Sequence, residues 1–482
     1  MSQRAQVTVL RRGLVLAALA GTLLGAPARA QQTPPAPLPM GQVDFPPFQE
    51  RTLSNGARLL VVTQEEVPYV TVRAVVQGGT SVDPVDRVGQ TAFLAQLLTK
   101  GTTTRPAAQI AEEIDFMGGS LDASAGADWI NVTLGVLEPD LTAGLGLLAD
   151  VMMHPTFPED ELELVRTRAL SGLEASLAEP DQLAIRAFIR AVYGEHPYGK
   201  LESEATLGAI DRASLERHHA TWFQPGNTLF VVAGSVTADE IAPALESAFR
   251  GWEGGATPAV DYGTPPPQRA EVVLVDRPGS VQAVVLAGHL LARGSNPDWT
   301  TLSVGNHLLG GGITSRLFQI LREQKGWTYG AYSQAVRRRD LGVWLASVEA
   351  RTDVAVDAIA ELLAQVGRLR SELIPPDELE VTKSYLVGSF PLSIETPQQI
   401  ANQVASNRLL GLPNDALATY RARVAALDPS DVRRVATDHL IPDRMVLVVV
   451  GDAAQLREGL ARFGPVRVVG PDGAPVEGPT TR

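Results

Sequence analysis

The chain spells out one architecture twice. PEDELELVRTRALSGLEASLAEPDQLA, from Pro158, lies over PPDELEVTKSYLVGSFPLSIETPQQIA, from Pro375, at an offset of 217 residues. The same offset carries Pro225 to Pro442 and Gly234 to Gly451, so that QPGNTLFVVAG matches IPDRMVLVVVG. Upstream, VTVRAVVQGG is set over VQAVVLAGH at an offset of 211, Val70 on Val281. Self-similarity at a fixed period is the mark of a repeated supersecondary unit, and a small drift in the offset is what loop insertions produce. The expectation is a tandem duplication of a unit of about 215 residues.

Each unit mixes two periodicities. Arg58–Val62, Val70–Val76 and Leu229–Val232 are β-branched, apolar and bounded by Gly or Pro, as strands are. Asp160–Ala178 and Asp377–Leu392 carry helical apolar spacing behind a Pro and an acidic residue, which suits a helix N-terminus. The predicted order is strand, strand, helix, helix, strand, long helices, strand. The fold class expected is α+β: two similar α/β domains, each a mixed sheet with helices packed on it, facing each other across a cavity.

Punctuation places the boundaries. Residues 1–30 have Arg4, Arg11 and Arg12 before an uncharged run, Gly13 to Gly25, and then Ala28-Arg29-Ala30. This is the pattern of a secretory signal peptide, and its apolar run is too short for the ~20 residues a bilayer span needs. The expected location is periplasmic or secreted, after cleavage near Ala30, with no membrane span. Residues 31–47 form a Pro-rich leader, and 254–269 a Gly/Pro-rich linker. The first domain is expected over 48–253, the second over 270–466, and a tail over 467–482.

Composition removes several chemistries. There is no cysteine, so disulfides, thiolate metal sites and thiol catalysis are excluded. The net charge is −13, and removing residues 1–30 takes four Arg and no acid, leaving −17. Such a surface repels phosphate backbones, and with aromatics at only 5 % no nucleic-acid partner is expected. None of the seven histidines (His154, His196, His218, His219, His289, His307, His439) forms an H-x-x-x-H pair, and structural or solvated roles are expected for them. His196, in GEHPYG, reads as a residue that packs a loop. No G-x-S-x-G motif points to a serine hydrolase.

GQTAFLAQLLTKGTTTR, Gly89 to Arg105, together with the duplication, resembles the pitrilysin/insulinase family of inverzincin metallopeptidases, which includes the mitochondrial processing peptidase. In that family a helix here carries H-x-x-E-H ahead of a Lys-Gly-Thr turn. Two His four apart share a helix face and bind zinc, and the Glu activates the metal-bound water. Lys100-Gly101-Thr102 sets the register, and the motif positions hold Ala92, Ala95 and Gln96. The family's third ligand, a Glu on the later helix, falls at Gly172; Leu173 cannot replace it and Glu174 points elsewhere on the helix. The expectation is that this chain binds no zinc, or any other metal.

The second half carries LLGGGITSRLFQILREQKGWTYGAYSQ, Leu308 to Gln334, which resembles the family's C-terminal motif. There an Arg and a Tyr seven residues later hold the substrate backbone and help to stabilise the oxyanion opposite the zinc. The matching residues are Arg322 and Tyr329. Arg offers rigid donors and Tyr a hydroxyl donor to developing negative charge. In two-subunit members of the family the zinc-less chain supplies this pair to its partner's site. The resemblance therefore implies a non-catalytic subunit of an exported heterodimeric zinc metallopeptidase. It would bind peptide substrate beside a homologous subunit that holds the zinc. An inactive homologue acting as a binding or scaffold protein is the alternative.

Overall fold

The computed structural model describes residues 45–255 and 258–476; the signal-type segment and the Pro-rich leader to residue 44 lie outside them. Two six-stranded mixed sheets carry the fold. In the first, the order is β1 (Gln49–Thr52), β2 (Arg58–Thr63), β6 (Thr228–Gly234), β3 (Tyr69–Gln77), β5 (Trp129–Leu137), β4 (Ser120–Ala125). In the second it is β12 (Val466–Val469), β7 (Glu271–Asp276), β11 (Val446–Gly451), β8 (Gln282–Leu290), β10 (Val343–Arg351), β9 (Thr328–Val336). Parallel pairing of β2 with β6 recurs as β7 with β11, and the three antiparallel strands beyond them also recur. The duplication is an α+β fold built twice.

The register corrects one alignment. Val72 lies opposite Val232 as Val285 lies opposite Val449, so β3 maps onto β8 at an offset of 213, not 211. Val281, set over the fully buried Val70, precedes β8 and is 81 % exposed. Runs of Val and Ala slide over one another without penalty in a text comparison, whereas the pleat assigns each to a face. Three further elements depart from expectation. Strand β1 precedes the first expected strand, and β4–β5 is a hairpin in place of the single expected strand. Residues 467–469, expected in the tail, belong to β12, the edge of the second sheet.

Six of the helices place the residues of the site and of the joint between the halves. In the first half they are α1 (Gln90–Leu97), α2 (Glu159–Ala178), α3 (Pro180–Tyr193) and α4 (Arg212–Trp222). In the second they are α5 (Pro376–Ser389) and α6 (Pro397–Leu409). The helix expected to run to Leu392 stops at Ser389 and tightens into a 3₁₀ turn, because Pro391 cannot donate the next helical hydrogen bond. One face of each sheet is buried by helices of its own half, around Val72, Phe230 and Leu134 in the first and Val285, Trp344 and Leu447 in the second.

The opposite faces are covered by exchange. Helix α3 of the first half lies on β7, β8 and β11 of the second, where Leu183, Phe188 and Val192 pack against Val273, Val284, Leu286 and Val448. Helix α6 of the second half lies on β2, β3 and β6 of the first, burying Ile400, Ala401 and Val404. Arg73 on β3 donates to Asn402 of α6. The linker is tied down as well: Tyr262 donates to Asp128 at 2.7 Å, and Gln268 donates to the Val192 carbonyl at 3.0 Å.

A buried polar knot completes the joint. His196 Nδ1 accepts from the Tyr198 amide at 3.1 Å, so Nε2 carries the hydrogen and donates to Asp340 of the second half, also at 3.1 Å. Arg293 pairs with the other Asp340 oxygen at 2.8 Å. Tyr198 and Tyr262 both donate to Asp128, and the Arg338 guanidinium lies 4.9 Å from the Tyr198 ring. His196 is the packing residue expected from the sequence, but what it packs is the seam between the halves. Among the described residues no helix is long and apolar enough to cross a membrane.

Because Phe188 is buried in the other half's sheet, Phe188→Ala is expected to cost about 3–5 kcal/mol. Urea unfolding monitored by tryptophan fluorescence measures it. A loss below about 1 kcal/mol would show that the exchanged helix is not what joins the halves.

Candidate functional site

Helix α1, where the zinc motif would stand, is held firmly at its start. Its first residues come after Gly89, which has no side chain to cap them, and Asp83 does this from outside. The Asp83 carboxylate accepts from the amides of Gly89 and Thr91, each at 2.9 Å, and from the Thr91 hydroxyl. Because Thr91 donates to Asp83, its oxygen is free to accept from His218 Nε2 on α4, at 2.9 Å. Lys200 ties the turn below, donating to the carbonyls of Ser81 and Asp83. Burial pushes the Asp83 carboxyl up to about 6, against hydrogen bonds from Thr91 and Gly89 and the Lys200 charge. Burial, with the neighbouring His219, brings His218 down to about 4, so it is neutral. This Thr–His–Asp contact is an N-terminal clamp, since Thr91 is wholly buried and its hydroxyl meets no solvent.

The end of α1 is equally fixed. Gly101 adopts φ +142°, a conformation that favours glycine, and turns the chain so that Thr102 and Thr104 donate to Asp150 at 2.7 and 2.8 Å. Arg105 completes the cluster at 2.8 Å from Asp150 and pairs with Glu113. Burial is the largest single effect on the Asp150 carboxyl and works to raise it. Hydrogen bonds from Thr102, Thr104 and Arg105 together outweigh burial and hold the group below its ordinary range. The Lys-Gly-Thr turn is therefore an anchor for the helix and has no need of the metal.

Between these anchors the chemistry is gone. Ala95 is buried, Ala92 is partly exposed and Gln96 faces solvent. Helix α2 packs against α1, and its Gly172 opens to solvent with nothing near a Cβ placed there. Two methyls, one neutral amide and a glycine do not make a zinc site, which needs imidazole and carboxylate donors. No group of three or more His, Asp and Glu able to hold a metal occurs among the described residues. Histidines elsewhere are engaged otherwise. His219 meets the Met152 carbonyl at 2.8 Å, His289 lies between Leu290 and Ile441, His439 pairs with Asp298, and His307 stacks on Tyr385.

Arg322 and Tyr329 do come together. Arg322 lies in a π-helical segment, Phe318–Gln324, and Gly326, at φ +63°, turns the chain into β9. The guanidinium carbon is 4.8 Å from the centre of the Phe318 ring and 5.7 Å from that of Tyr329. The two rings flank the fork, and among the described residues its only ion pair is a loose 3.5 Å approach to Glu323. Tyr329, on β9, is 86 % exposed and does not pack in the core.

Both side chains line a cavity of about 360 Å³ with Gln282, Glu349 and Arg351. Gln282 shares its side of β8 with Val284 and Leu286, which α3 covers, so the cavity opens on the face turned to the first half. Gln282, Glu349 and Arg351 are invisible as site residues in the sequence. They reach the cavity only through the pairing of β8 with β10, which puts Gln282 beside Arg351. No hydrogen bond, ion pair or ring contact among the described residues joins Arg322 or Tyr329 to Ala92, Ala95, Gln96 or Gly172.

Comparison with known proteins gives each half its own family match. Residues 58–203 match the family model described as insulinase (peptidase family M16), and 209–386 match the one described as the peptidase M16 inactive domain. An uncharacterized zinc protease of Streptomyces coelicolor is 25 % identical over 423 residues, covering 85 % of this chain and 92 % of its own length. One from Bacillus subtilis is 28 % identical over 366 residues, covering 74 % and 87 %. Among solved structures, a peptidase M16 inactive domain from Pseudomonas fluorescens superposes with a TM-score of 0.79 at 24 % identity, over 84 % of this chain and 98 % of that one. A protease from Helicobacter pylori gives 0.77 at 21 %, over 84 % and 99 %. The two structures share the fold.

The geometry sets two expected outcomes. His218, neutral in the fold and ordinarily near 6.5, contributes stability that is complete above about 6.5 and is lost as pH falls through 4. Asp83 has the opposite sign: its contribution is present below its ordinary 3.8 and is lost as pH rises through about 6. His218→Gln keeps a donor for Thr91 and removes only the first effect. The fall in Tm between pH 7 and 4.5 is therefore expected to be smaller in the variant, by the equivalent of at most about 3 kcal/mol. Parallel curves would mean that His218 titrates alike in the folded and unfolded chain. For the metal, Ala92→His/Ala95→Glu/Gln96→His is expected to bind zinc at least about tenfold more weakly than the same variant with Gly172→Glu. Equal affinities in a competitive titration would place the third ligand elsewhere.

Proposed function

The chain belongs to the insulinase-type M16 peptidase family, its second half matching the model described as the M16 inactive domain, and on that premise we propose that it is the non-catalytic subunit of an exported heterodimeric zinc metallopeptidase. It binds peptide substrate and supplies Arg322 and Tyr329 to the site of a homologous partner that carries the zinc. The observation that carries this reading is an asymmetry of loss. All four metal-site positions are empty of donors, yet the Arg and Tyr remain side by side, oriented by stacking and facing a cavity. Retention of this pair weighs modestly against the scaffold reading.

The work of this chain's own residues is electrostatic. The Arg322 fork can donate to two backbone carbonyl oxygens of an extended peptide and hold it in place. The Tyr329 hydroxyl, exposed beside the guanidinium, is a donor for the oxygen that gains charge as the peptide carbonyl is attacked. Neither role requires contact with the metal, which is the partner's. The Arg-rich n-region, apolar run and small residues at Ala28-Arg29-Ala30 support export. The acidic surface supports a protein or peptide partner over a nucleic acid.

The test is reconstitution with the zinc-bearing subunit and a peptide assay. Tyr329→Phe keeps the ring and its stacking but removes the hydroxyl, and is expected to lower kcat about 10²–10³-fold with pairing intact. Arg322→Lys, a point charge in place of a fork, is expected to raise KM as well. Unchanged turnover with both variants would transfer the chain to the scaffold reading.

A further inference from the structure

The internal duplication sets two grooves side by side for comparison, one filled and one open. In the second half, α6 and the edge of the first sheet close on Phe48, the residue just before β1. Together with Leu60, Val404, Leu412 and Leu417 it leaves a void of only about 10 Å³. The equivalent groove lies between α3 and the edge of the second sheet. At the repeat offset Ala187 and Arg190 of α3 stand where Val404 and Asn407 stand on α6. Strand β12 takes the place beside β7 that β1 takes beside β2. The backbone position is therefore occupied in both halves, but among the described residues no aromatic side chain fills the second groove. It stands open as a cavity of about 690 Å³.

The lining says what would fill it. The floor is apolar: Leu173, Leu183, Ala187, Val275 and Val469. The rim carries Glu174, Glu202, Glu204 and Asp472 against Arg186 and Arg190, an excess of two negative charges. Arg186 is partly committed, donating to the Glu202 carbonyl at 2.6 Å. On α2 the groove takes Leu170, Ser171, Leu173 and Glu174 but not Gly172, so it lies on the other flank of that helix from the lost third-ligand position. Glu174, unsuited to replace the lost ligand, has its place here.

We propose that this groove is a second peptide-binding site, which takes an extended segment bearing an aromatic residue next to a basic one. The aromatic ring enters the position that Phe48 fills in the other half, and the basic side chain meets the acidic rim. The site is built by both halves, since α2 and α3 supply one wall and β7 with β12 the other. It does not depend on Arg322, Tyr329 or a metal.

The experiment measures binding to the full chain by fluorescence anisotropy, with no catalysis involved. The probe is a fluorescein-labelled Gly-Ser-Pro-Phe-Arg-Ser-Gly peptide. It should bind saturably, and replacing its Phe by Ala or its Arg by Glu should weaken binding at least about tenfold and several-fold, respectively. Ala187→Trp fills the groove from α3 and should abolish binding. Glu174→Lys/Glu202→Lys changes only the rim, leaves the floor intact, and should invert the preference toward the Phe-Glu peptide. Equal binding of the Phe-Arg and Phe-Glu peptides, binding that survives Ala187→Trp, or a preference unmoved by the rim reversal would overturn the proposal. An Arg322 or Tyr329 variant should bind the probe normally, which separates this site from the catalytic reading.

Discussion

The exchange of α3 and α6 between the sheets is the constraint on which the rest of the molecule depends. A mixed sheet has two faces, and the helices of its own half cover only one of them. The other face of the second sheet, with Val273, Val284, Leu286 and Val448, is covered by the first half's Leu183, Phe188 and Val192. Each large apolar side chain buried in this way contributes on the order of 1.5–3 kcal/mol, so neither sheet is complete without the other half. The polar knot of His196, Asp340, Arg293, Tyr198, Tyr262 and Asp128 is tolerated only because its donors and acceptors answer each other within hydrogen-bond reach.

This dependence explains how a helix can lose its chemistry and keep its place. Helix α1 is positioned by Asp83, Thr91 and His218 at one end and by the Asp150 cluster at the other. None of these groups is Ala92, Ala95 or Gln96, so the helix is held in place whatever those three positions carry. The same separation holds in the second half. Arg322 is oriented by Phe318 and Tyr329, and the strand that carries Tyr329 is fixed by pairing with β10.

Much of this is legible in the sequence. The repeat at 217 residues predicts two like domains, and the two six-stranded sheets carry it out. The strands Arg58–Thr63 and Thr228–Gly234 and the helix Glu159–Ala178 lie within a residue or two of their expected bounds. The departures have identifiable reasons. Val281 mimics Val70 in a text alignment, but β8 begins after it, and only the ladder of hydrogen bonds shows that. The hairpin β4–β5 escapes a reading of pattern because Ser120–Ala125 is small and polar, an edge strand with little β-branched character.

By itself, then, the sequence determined the duplication and the α+β class, because these are properties of local pattern and residue type. Only the tertiary structure decided that α3 and α6 change sheets, that His196 answers Asp340 across 144 residues, and that Gln282, Glu349 and Arg351 stand around Arg322 and Tyr329. These are contacts between segments far apart in the chain. Their partners are chosen by which apolar face remains uncovered and which buried polar group remains unsatisfied, and neither quantity exists until the two halves close on each other.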